Sequence, residues 1–401
     1  MEHWIWLSQI GMTKHMASVL VKVFGSPAGV YQASEAELDA VEARFGPGSG
    51  AAGVRGAETL TERNRQRLRC KDLTEARRVV EVCRRSGWEI LSILDPRYPQ
   101  KLRKISDAPL VLYVWGKMPA VDAARSVGVV GTRNASPYGL THTRRISREL
   151  AEQGTVIVSG GALGVDTAAL EGALETGAPV IAVVAGGLDR LYPAQNQSLF
   201  ARIARQGCVV SQYTPGTSCL RHQFLARNRI ISALSDGTLV TECPLRSGAM
   251  STARHARSQG RQVFALPGPV GDGSFAGCHD LIRSGAILVE NAGQLLEALA
   301  APARWGKAGA QEGAGKICVD KHSSRDYIDT HKETWTPDRA PEAGTELQRR
   351  VFGELETAPG NLQELSRRLG EPDSRLLEAV TELQLLGRIA PWPDGRYHVN
   401  Y

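Results

Sequence analysis

The sequence predicts an α/β protein built on a doubly wound, mostly parallel sheet, with a small helical domain before the sheet and a winged-helix-like domain after it. Between residues 126 and 291, short apolar runs alternate with amphipathic stretches. This is the pattern of parallel strands that are covered by helices on both faces. Before this region apolar residues recur at helical spacing, and after residue 345 three helical patterns precede a hairpin pattern.

Residues 1–90 form the predicted helical domain. Ala17, Leu20 and Phe24 share one helical face, and Ser34 followed by Glu37 predicts a capping box. Residues 45–56 are rich in Gly, Pro and Ala, which is typical of a loop. An amphipathic helix over 73–85 and a strand over 88–94 complete this part of the chain.

Residues 91–300 form the predicted sheet domain. After a strand at 110–115 come seven apolar runs that we interpret as buried strands: 126–131, 155–161, 180–187, 208–213, 238–243, 262–268 and 286–291. Open α/β sheets bind ligands in the crevice outside the carboxyl ends of their strands. The residues that follow each run are therefore the candidate binding residues.

The remaining chain is predicted to be a linker and a third domain. Residues 301–344 combine Gly, Ala, Pro and mixed charges with little apolar periodicity, which predicts a flexible linker. Residues 345–401 predict helices over 346–356, 361–369 and 373–386, then a hairpin formed by Ile389 and 397–401. This order is the pattern of a winged helix.

Composition narrows the function classes. No apolar run approaches the roughly 18 to 20 residues of a membrane span, and the N-terminus lacks the features of a signal peptide. The seven cysteines include no CxxC pair, which predicts neither a disulfide framework nor a metal site and fits a cytoplasmic protein. All 16 cations of residues 121–300 are arginines, and the arginine fork suits phosphate, although codon usage explains this bias equally well.

Glycine, hydroxyl and arginine residues recur at the predicted strand ends. Glycine lets backbone N–H groups approach an anion closely, and arginine can form a bidentate contact with phosphate. The residues predicted to bind phosphate at three strand ends are Gly131, Thr132, Arg133, Ser159, Gly160, Gly161, Ser247 and Gly248. Any single turn of this kind is often only tight packing, so the prediction depends on the recurrence.

After the fourth run, Phe224 precedes two arginines, Arg227 and Arg229. An aromatic face with neighbouring cations is the combination that single-strand binders use. In the plainer alternative Phe224 belongs to the core, the arginines are surface charges, and Asp166 and Asp189 cap helices.

No catalytic motif accompanies these residues. No dinucleotide-binding GxGxxG with its acidic partner follows a predicted strand, and neither a P-loop nor a GxSxG elbow is present. No histidine stands in HExxH. Glu242 and Asp236 are acid–base candidates only because they are carboxylates near a cleft. The sequence therefore predicts a binding protein that has no cofactor and is not an enzyme.

Together these motifs resemble the DprA/Smf family of DNA-processing proteins. The matching stretches lie in family order at 127–139, 159–169, 185–193, 224–236, 246–256, 265–270 and 277–289. The resemblance implies an extended Rossmann-like domain between a SAM-like or helix-hairpin-helix-like domain and the winged helix. It further implies a homodimer that coats incoming single-stranded DNA and loads the RecA recombinase during natural transformation.

The resemblance also implies particular binding residues. Position by position it adds Arg221, Phe224, Arg227 and Asn228 to the residues of the glycine turns. Two departures affect this pocket: Ala194 stands where many members have a lysine, and Leu225 where they have a proline. Arg190 is the residue that can replace the missing cation.

Two further expectations concern assembly and alternatives. Ile282 and Leu288 are the expected dimer contacts, although burial in their own core is equally compatible with the sequence.

The alternative function is a phosphoribohydrolase-like enzyme that processes nucleotides, but its PGGxGTxxE stretch is matched only by residues 265–273, without the Gly-Thr pair and the glutamate. A third possibility, a regulator that binds DNA through residues 345–401, is disfavoured because residues 301–401 carry 14 Lys and Arg against 16 Asp and Glu.

Overall fold

The structure is a computed structural model that describes residues 1–45, 60–300, 346–357, 360–385, 389–391 and 396–399. The described residues up to 300 belong to one compact unit, and those from 346 onwards belong to a second. Most of the loop predicted at 45–56, and the whole linker predicted at 301–344, lie outside the described residues.

Six helices precede the sheet: α1 Glu2–Gln9, α2 Lys14–Phe24, α3 Pro27–Gln32, α4 Glu35–Phe45, α5 Glu62–Arg69 and α6 Thr74–Ser86. The capping box predicted at the start of α4 is present, because the Glu37 carboxylate accepts from the backbone N–H of Ser34 at 2.8 Å and Ser34 Oγ accepts from the Glu37 N–H. Leu7, Leu20 and Val79 are fully buried and join the core of the sheet. On the predicted face of α2, Ala17 and Leu20 are buried and Phe24 is half-buried against the same core, as expected for an amphipathic helix.

Nine strands form one sheet: β1 Glu89–Ser92, β2 Val111–Gly116, β3 Ser126–Val130, β4 Val156–Ser159, β5 Val180–Val183, β6 Cys208–Ser211, β7 Gly237–Val240, β8 Gln262–Ala265 and β9 Ile287–Leu288. The helices between them are α7 Gln100–Arg103, α8 Pro137–Glu152, α9 Val165–Leu174, α10 Gln197–Gln206, α11 Arg221–Ala233, α12 Gly248–Ser258 and α13 Ala276–Arg283, with 3₁₀ turns at Ala194–Asn196 and Gly273–Phe275. Helix α14 Ala292–Ala300 follows β9.

The sheet order is β1-β2-β6-β5-β4-β3-β7-β8-β9. Pairing is parallel from β6 to β9, whereas β1 and β2 join antiparallel at the other end. Strands β3 to β8 are buried along their whole length, which is why they read as continuous apolar runs. The doubly wound, mostly parallel sheet is confirmed.

The direction of winding changes between β3 and β7. From β3 the chain adds β4, β5 and β6 on one side, then crosses to place β7 on the other side of β3. At such a switch point the loops after neighbouring strands diverge and leave a crevice at their carboxyl ends. The predicted runs extended too far, since β4 ends at Ser159 and β5 at Val183; the glycines after them belong to the loops of this crevice.

The second unit contains α15 Glu346–Thr357, α16 Leu362–Leu369, α17 Asp373–Leu385 and the antiparallel strands β10 Ile389–Pro391 and β11 Tyr397–Val399. Its own core includes Val351, Leu365 and Val380. Three helices followed by a hairpin confirm the winged-helix-like pattern. Among the described residues, no helix is long and apolar enough to cross a membrane.

Candidate functional site

The loop after β3 is locked between two neighbouring loops. The backbone N–H of Thr132 donates to the carbonyl of Glu242 at 2.7 Å, and the Thr132 carbonyl accepts from the N–H of Val165 at 3.2 Å. A Cβ added to Gly131 would lie 2.5 Å from Val165 Cγ2, so only glycine fits here. This arrangement fixes the backbone and leaves the Arg133 side chain exposed at the crevice.

The loop after β4 is held by a buried carboxylate. Asp166 Oδ2 accepts from the backbone N–H of Gly160 at 3.1 Å and of Ala162 at 3.3 Å. Gly161 has φ +70°, and a Cβ there would lie 2.5 Å from Phe200 Cε1, which explains its glycine. Asp166 therefore orders the glycine turn and does not cap α9, whose N-cap makes no side-chain hydrogen bond.

Ser159 does not reach the crevice. Its side chain is fully buried, and its Oγ donates to the carbonyl of Val129 at 2.7 Å. The structure thus corrects its predicted role from a phosphate ligand to a link between β4 and β3. The reason is its position as the last residue of a strand that is buried on both faces.

Asn196 is a supporting residue that the sequence reasoning missed. Its Nδ2 donates to the carbonyl of Gly161 at 2.9 Å and to Thr167 Oγ1 at 2.8 Å. Thr167 Oγ1 in turn donates to the Ala162 carbonyl at 2.7 Å. No local pattern marks Asn196, because its partners lie about thirty residues earlier in the chain.

Phe224 lies at the centre of the candidate site. The guanidinium carbon of Arg133 is 5.0 Å from the centroid of its ring, and that of Arg227 is 6.0 Å away. The ring of Tyr192 meets it edge to face, with 5.7 Å between centroids. The structure therefore brings together Arg133, Phe224 and Arg227 as predicted, and adds Tyr192, an exposed aromatic after β5.

Arg227 is a buried cation. Its Nη1 donates to the carbonyls of Gly160 and Val183, and only 4% of the residue is exposed. Burial lowers the pKa of the guanidinium to about 10, an effect that the Asp166 carboxylate opposes. Burial likewise raises the pKa of Asp166, against the attraction of Arg227. A pKa of about 10 leaves Arg227 charged at neutral pH, beneath the Phe224 ring.

Asn228 and Arg229 occupy other faces of α11. Asn228 Nδ2 donates to the Gly248 carbonyl at 3.1 Å and so ties α12 to α11. Arg229 Nε pairs with Asp107 Oδ2 at 2.7 Å, with 13% of its side chain exposed. Helical residues two positions apart point about 200° apart, so Arg227 and Arg229 cannot share one site. The structure corrects the prediction for Arg229.

Three other predicted residues lie at the beginnings of α11 and α12. Ser247 is the N-cap of α12, with its Oγ accepting from the Ala249 N–H at 3.2 Å, and the exposed Gly248 is the first helical residue. Arg221 is the exposed first residue of α11, one turn before Phe224. Helix N-termini with an arginine nearby favour anions.

Apolar side chains stand on the loops that surround these cations. Leu163 after β4, Leu220 before α11 and Leu245 after β7 are each at least 40% exposed, and Tyr192 is 50% exposed. Exposed apolar side chains beside cations provide contacts for both the bases and the backbone of a nucleic acid strand.

The carboxylates near the crevice are occupied by structural contacts. Both Glu242 oxygens accept from the Ser136 N–H at the start of α8, and Asp189 accepts from the Gly216 N–H. Asp236 lies at the amino end of the sheet and pairs with Lys101. Among the described residues, no group of three or more His, Cys, Asp or Glu could hold a metal ion.

The two expected dimer contacts differ in exposure. Ile282 is half-buried and packs against the core. Leu288 is 45% exposed and belongs to β9, the last strand of the sheet.

Known families and structures resemble this chain. Residues 89–300 match the family model described as DNA recombination-mediator protein A, and residues 336–395 match that of the DprA winged helix domain. The DNA processing protein DprA of Streptococcus pneumoniae is 43% identical over 205 residues, which cover 51% of this chain and 72% of that protein. Protein Smf of Escherichia coli is 36% identical over 299 residues, covering 74% of each. The crystal structure of the pneumococcal DprA superposes with a TM-score of 0.61 at 32% identity, covering 74% of this chain and 97% of that one.

Proposed function

Because the chain belongs to the DprA/Smf family of DNA-processing proteins, with a role in DNA recombination, we propose that it binds single-stranded DNA and loads the RecA recombinase onto it. In this proposal the protein protects incoming strands during natural transformation and has no catalytic step. The observation that carries it is the Phe224 ring, whose centroid lies 5.0 Å from the Arg133 guanidinium carbon and 6.0 Å from that of Arg227.

The proposed site separates two kinds of contact. The exposed Arg133 and the turn at Gly131 and Thr132 face the phosphates, while Phe224 and Tyr192 offer ring faces and edges to the bases. Gly160 and Gly161 line the turn beside them. Arg221 adds a cation at the rim, and Ser247 and Gly248 add the N-terminus of α12. Phosphate contacts carry no sequence information, so binding should depend little on base sequence.

The decisive experiment is a fluorescence-anisotropy titration of labelled oligo-dT. We expect Arg133→Ala to weaken binding about tenfold and to flatten the plot of log K against log salt by about 0.7, the value for one phosphate contact on a single strand. Arg205→Ala is the matched control, because Arg205 is an exposed arginine near the end of α10, away from the crevice. Equal affinities for Arg133→Ala and wild type would refute the proposed pocket.

The absence of a catalytic step has its own test. A phosphoribohydrolase would release free adenine from AMP, and we expect none at high protein concentration. Release that is lost in Glu242→Gln or Asp166→Asn would replace this proposal with the enzymatic alternative.

Dimerisation and RecA loading belong to the same proposal. We place a dimer contact at the exposed Leu288 on the last strand of the sheet, together with Ile282. Light scattering should show a dimer for wild type and a monomer for Leu288→Asp. In strand-exchange reactions, wild type should accelerate RecA filament formation on DNA that is coated by single-strand-binding protein. A Leu288→Asp protein of dimeric mass would show that the contact lies elsewhere.

The winged-helix unit is proposed to contact protein instead of reading a groove. Removing residues 345–401 should leave oligo-dT affinity unchanged. Abolished binding in this truncated chain would move the site into the second unit.

A further inference from the structure

A second groove lies at the opposite end of the sheet. It has a volume of about 650 Å³ and runs between the segment after α7 and the end of α12. Arg261, which lines it, directly precedes β8. Lys101, on another wall, donates to Ser126 Oγ at the first residue of β3 at 3.0 Å. These positions are the amino ends of the parallel strands, whereas Phe224 and Arg133 lie at the carboxyl ends.

Two charged residues of the groove are already neutralised. Lys101 Nζ pairs with Asp236 Oδ2 at 2.8 Å, and the Asp107 carboxylate pairs with Arg229 Nε at 2.7 Å. They therefore shape the walls without adding net charge. Burial lowers the pKa of His255 in the same wall, so this imidazole is neutral at pH 7.

Two other cations are not neutralised. Within the described part of the chain, neither Lys104 nor Arg261 has an ion pair with a carboxylate or a side-chain hydrogen bond. The Arg261 Nε is buried and has no acceptor among the described residues. An unsatisfied buried donor is costly, and an anion in the groove would supply the acceptor. The groove thus combines two surplus positive charges with an unused N–H.

We propose that this groove is a second phosphate-binding site. Its volume lies within the range of roughly 300 to 1,000 Å³ that suits ligands of nucleotide size. The phosphates could come from the backbone of a long DNA strand or from a free nucleotide. The first source rests on the proposed function and deepens it, because one strand would contact both ends of the sheet. Strands of four to five residues separate those ends by about 15 Å.

The test compares two double variants of the full chain. Lys104→Gln with Arg261→Gln removes the two surplus charges of the groove. Lys117→Gln with Arg205→Gln removes one exposed lysine and one exposed arginine elsewhere, so the change in net charge is the same. Because single-strand site sizes are about 4 to 16 nucleotides, the probes are oligo-dT of about 6 and about 30 nucleotides, followed by ATP and inorganic phosphate.

We expect the groove variant to bind the short oligonucleotide like wild type and the long one about tenfold more weakly. Its plot of log K against log salt should flatten by about 1.4, the value for two phosphate contacts, and the control pair should show neither change. If the groove variant loses only the binding of ATP or phosphate, the phosphates come from a free nucleotide, and the second site is supported. If the groove and control variants behave alike with every probe, the second site is refuted.

Two further comparisons keep the result unambiguous. Lys104→Gln alone, at an exposed position, should flatten the slope by about 0.7 even if the double variant folds poorly. Wild type that binds neither oligonucleotide would refute the proposed function, and the ATP and phosphate titrations would then decide on the groove by themselves.

Discussion

The guanidinium carbon of Arg133 lies 5.0 Å from the centroid of the Phe224 ring, although the two residues are 91 positions apart in the sequence. Arg133 extends from the locked loop after β3, whereas Phe224 belongs to the first turn of α11. A cation over an aromatic face at this distance contributes about 0.5 to 1 kcal/mol at exposed sites. The contact therefore orients Arg133 before any ligand arrives.

Replacing Phe224 should distinguish stacking from simple burial. Phe224→Leu keeps an apolar side chain but loses the aromatic ring, whereas Phe224→Tyr keeps the aromatic ring as well as the bulk. Stacking on an aromatic contributes about 1 to 3 kcal/mol per base, so Phe224→Leu should weaken oligo-dT binding by about 5- to 150-fold. Phe224→Tyr should stay close to wild type. Equal losses in both variants, measured by anisotropy, would argue against base stacking.

Gly160 should not tolerate a methyl group. A Cβ there would lie 2.5 Å from Arg227 Nη2 and 2.6 Å from Asp166 Oδ2. Overpacking of this kind costs about 1 to 3 kcal/mol, so thermal unfolding of Gly160→Ala should begin several degrees lower. Gly248→Ala is the control, because nothing lies within 4 Å of its added Cβ. A Gly160→Ala protein as stable as Gly248→Ala would show that the buried pair can move aside.

Restoring a cation at Ala194 should strengthen binding. Ala194 is exposed at the start of the 3₁₀ turn after Tyr192. The neighbouring Arg190 lies 3.9 Å from Asp189, so its charge is partly offset. We expect Ala194→Lys to raise oligo-dT affinity several-fold at low salt and to steepen the salt dependence by about 0.7. Ala194→Gln has a side chain of similar length without a charge and should not raise the affinity. An equal gain in affinity for Ala194→Gln would exclude an electrostatic cause.

His255 should make stability depend on pH. Its pKa is lowered from 6.5, chiefly by burial, so the unfolded state binds more protons below pH 6.5. The corresponding stability is complete above that pH and is lost as the pH falls through the folded-state pKa. Urea unfolding between pH 5 and 8 should therefore show a shallower loss on the acid side for His255→Gln. Parallel curves for the variant and wild type would contradict this assignment.

Most strands of the sheet could be predicted because each one is marked by a run of apolar residues within a few positions of the sequence. Strands such as β4 and β5 are buried on both faces, and their apolar runs are visible one at a time. The sheet order and the antiparallel β1 and β2 were not, since pairing depends on contacts far apart in sequence. The runs were also read too long, because apolar and glycine residues continue into the loops that shape the crevice.

The exposed residues of the site could be predicted from the sequence, whereas the buried residues that hold its loops in place mostly could not. Arg133 and Phe224 follow strand ends, where a doubly wound sheet exposes its loops. Ser159 was wrongly assigned to the crevice, because a strand that is buried on both faces shows no apolar–polar alternation from which the direction of its last side chain could be predicted. Arg229 could have been excluded from the site on the sequence alone, since helical geometry places its side chain on the opposite face of α11 from Arg227. Asn196 gave no signal, because its partners are set by tertiary structure.

Because Gly160 has no side chain, the residues allowed at positions 160, 166 and 227 depend on one another. The space that a Cβ would need is filled by Arg227 and Asp166, which stand 61 residues apart on different helices. A larger residue at Gly160 is therefore free of overpacking only when both partners are smaller. The loss of one partner alone leaves the other charge buried without compensation. The three positions should be inherited as a unit, so that among relatives a change at one is accompanied by changes at the other two.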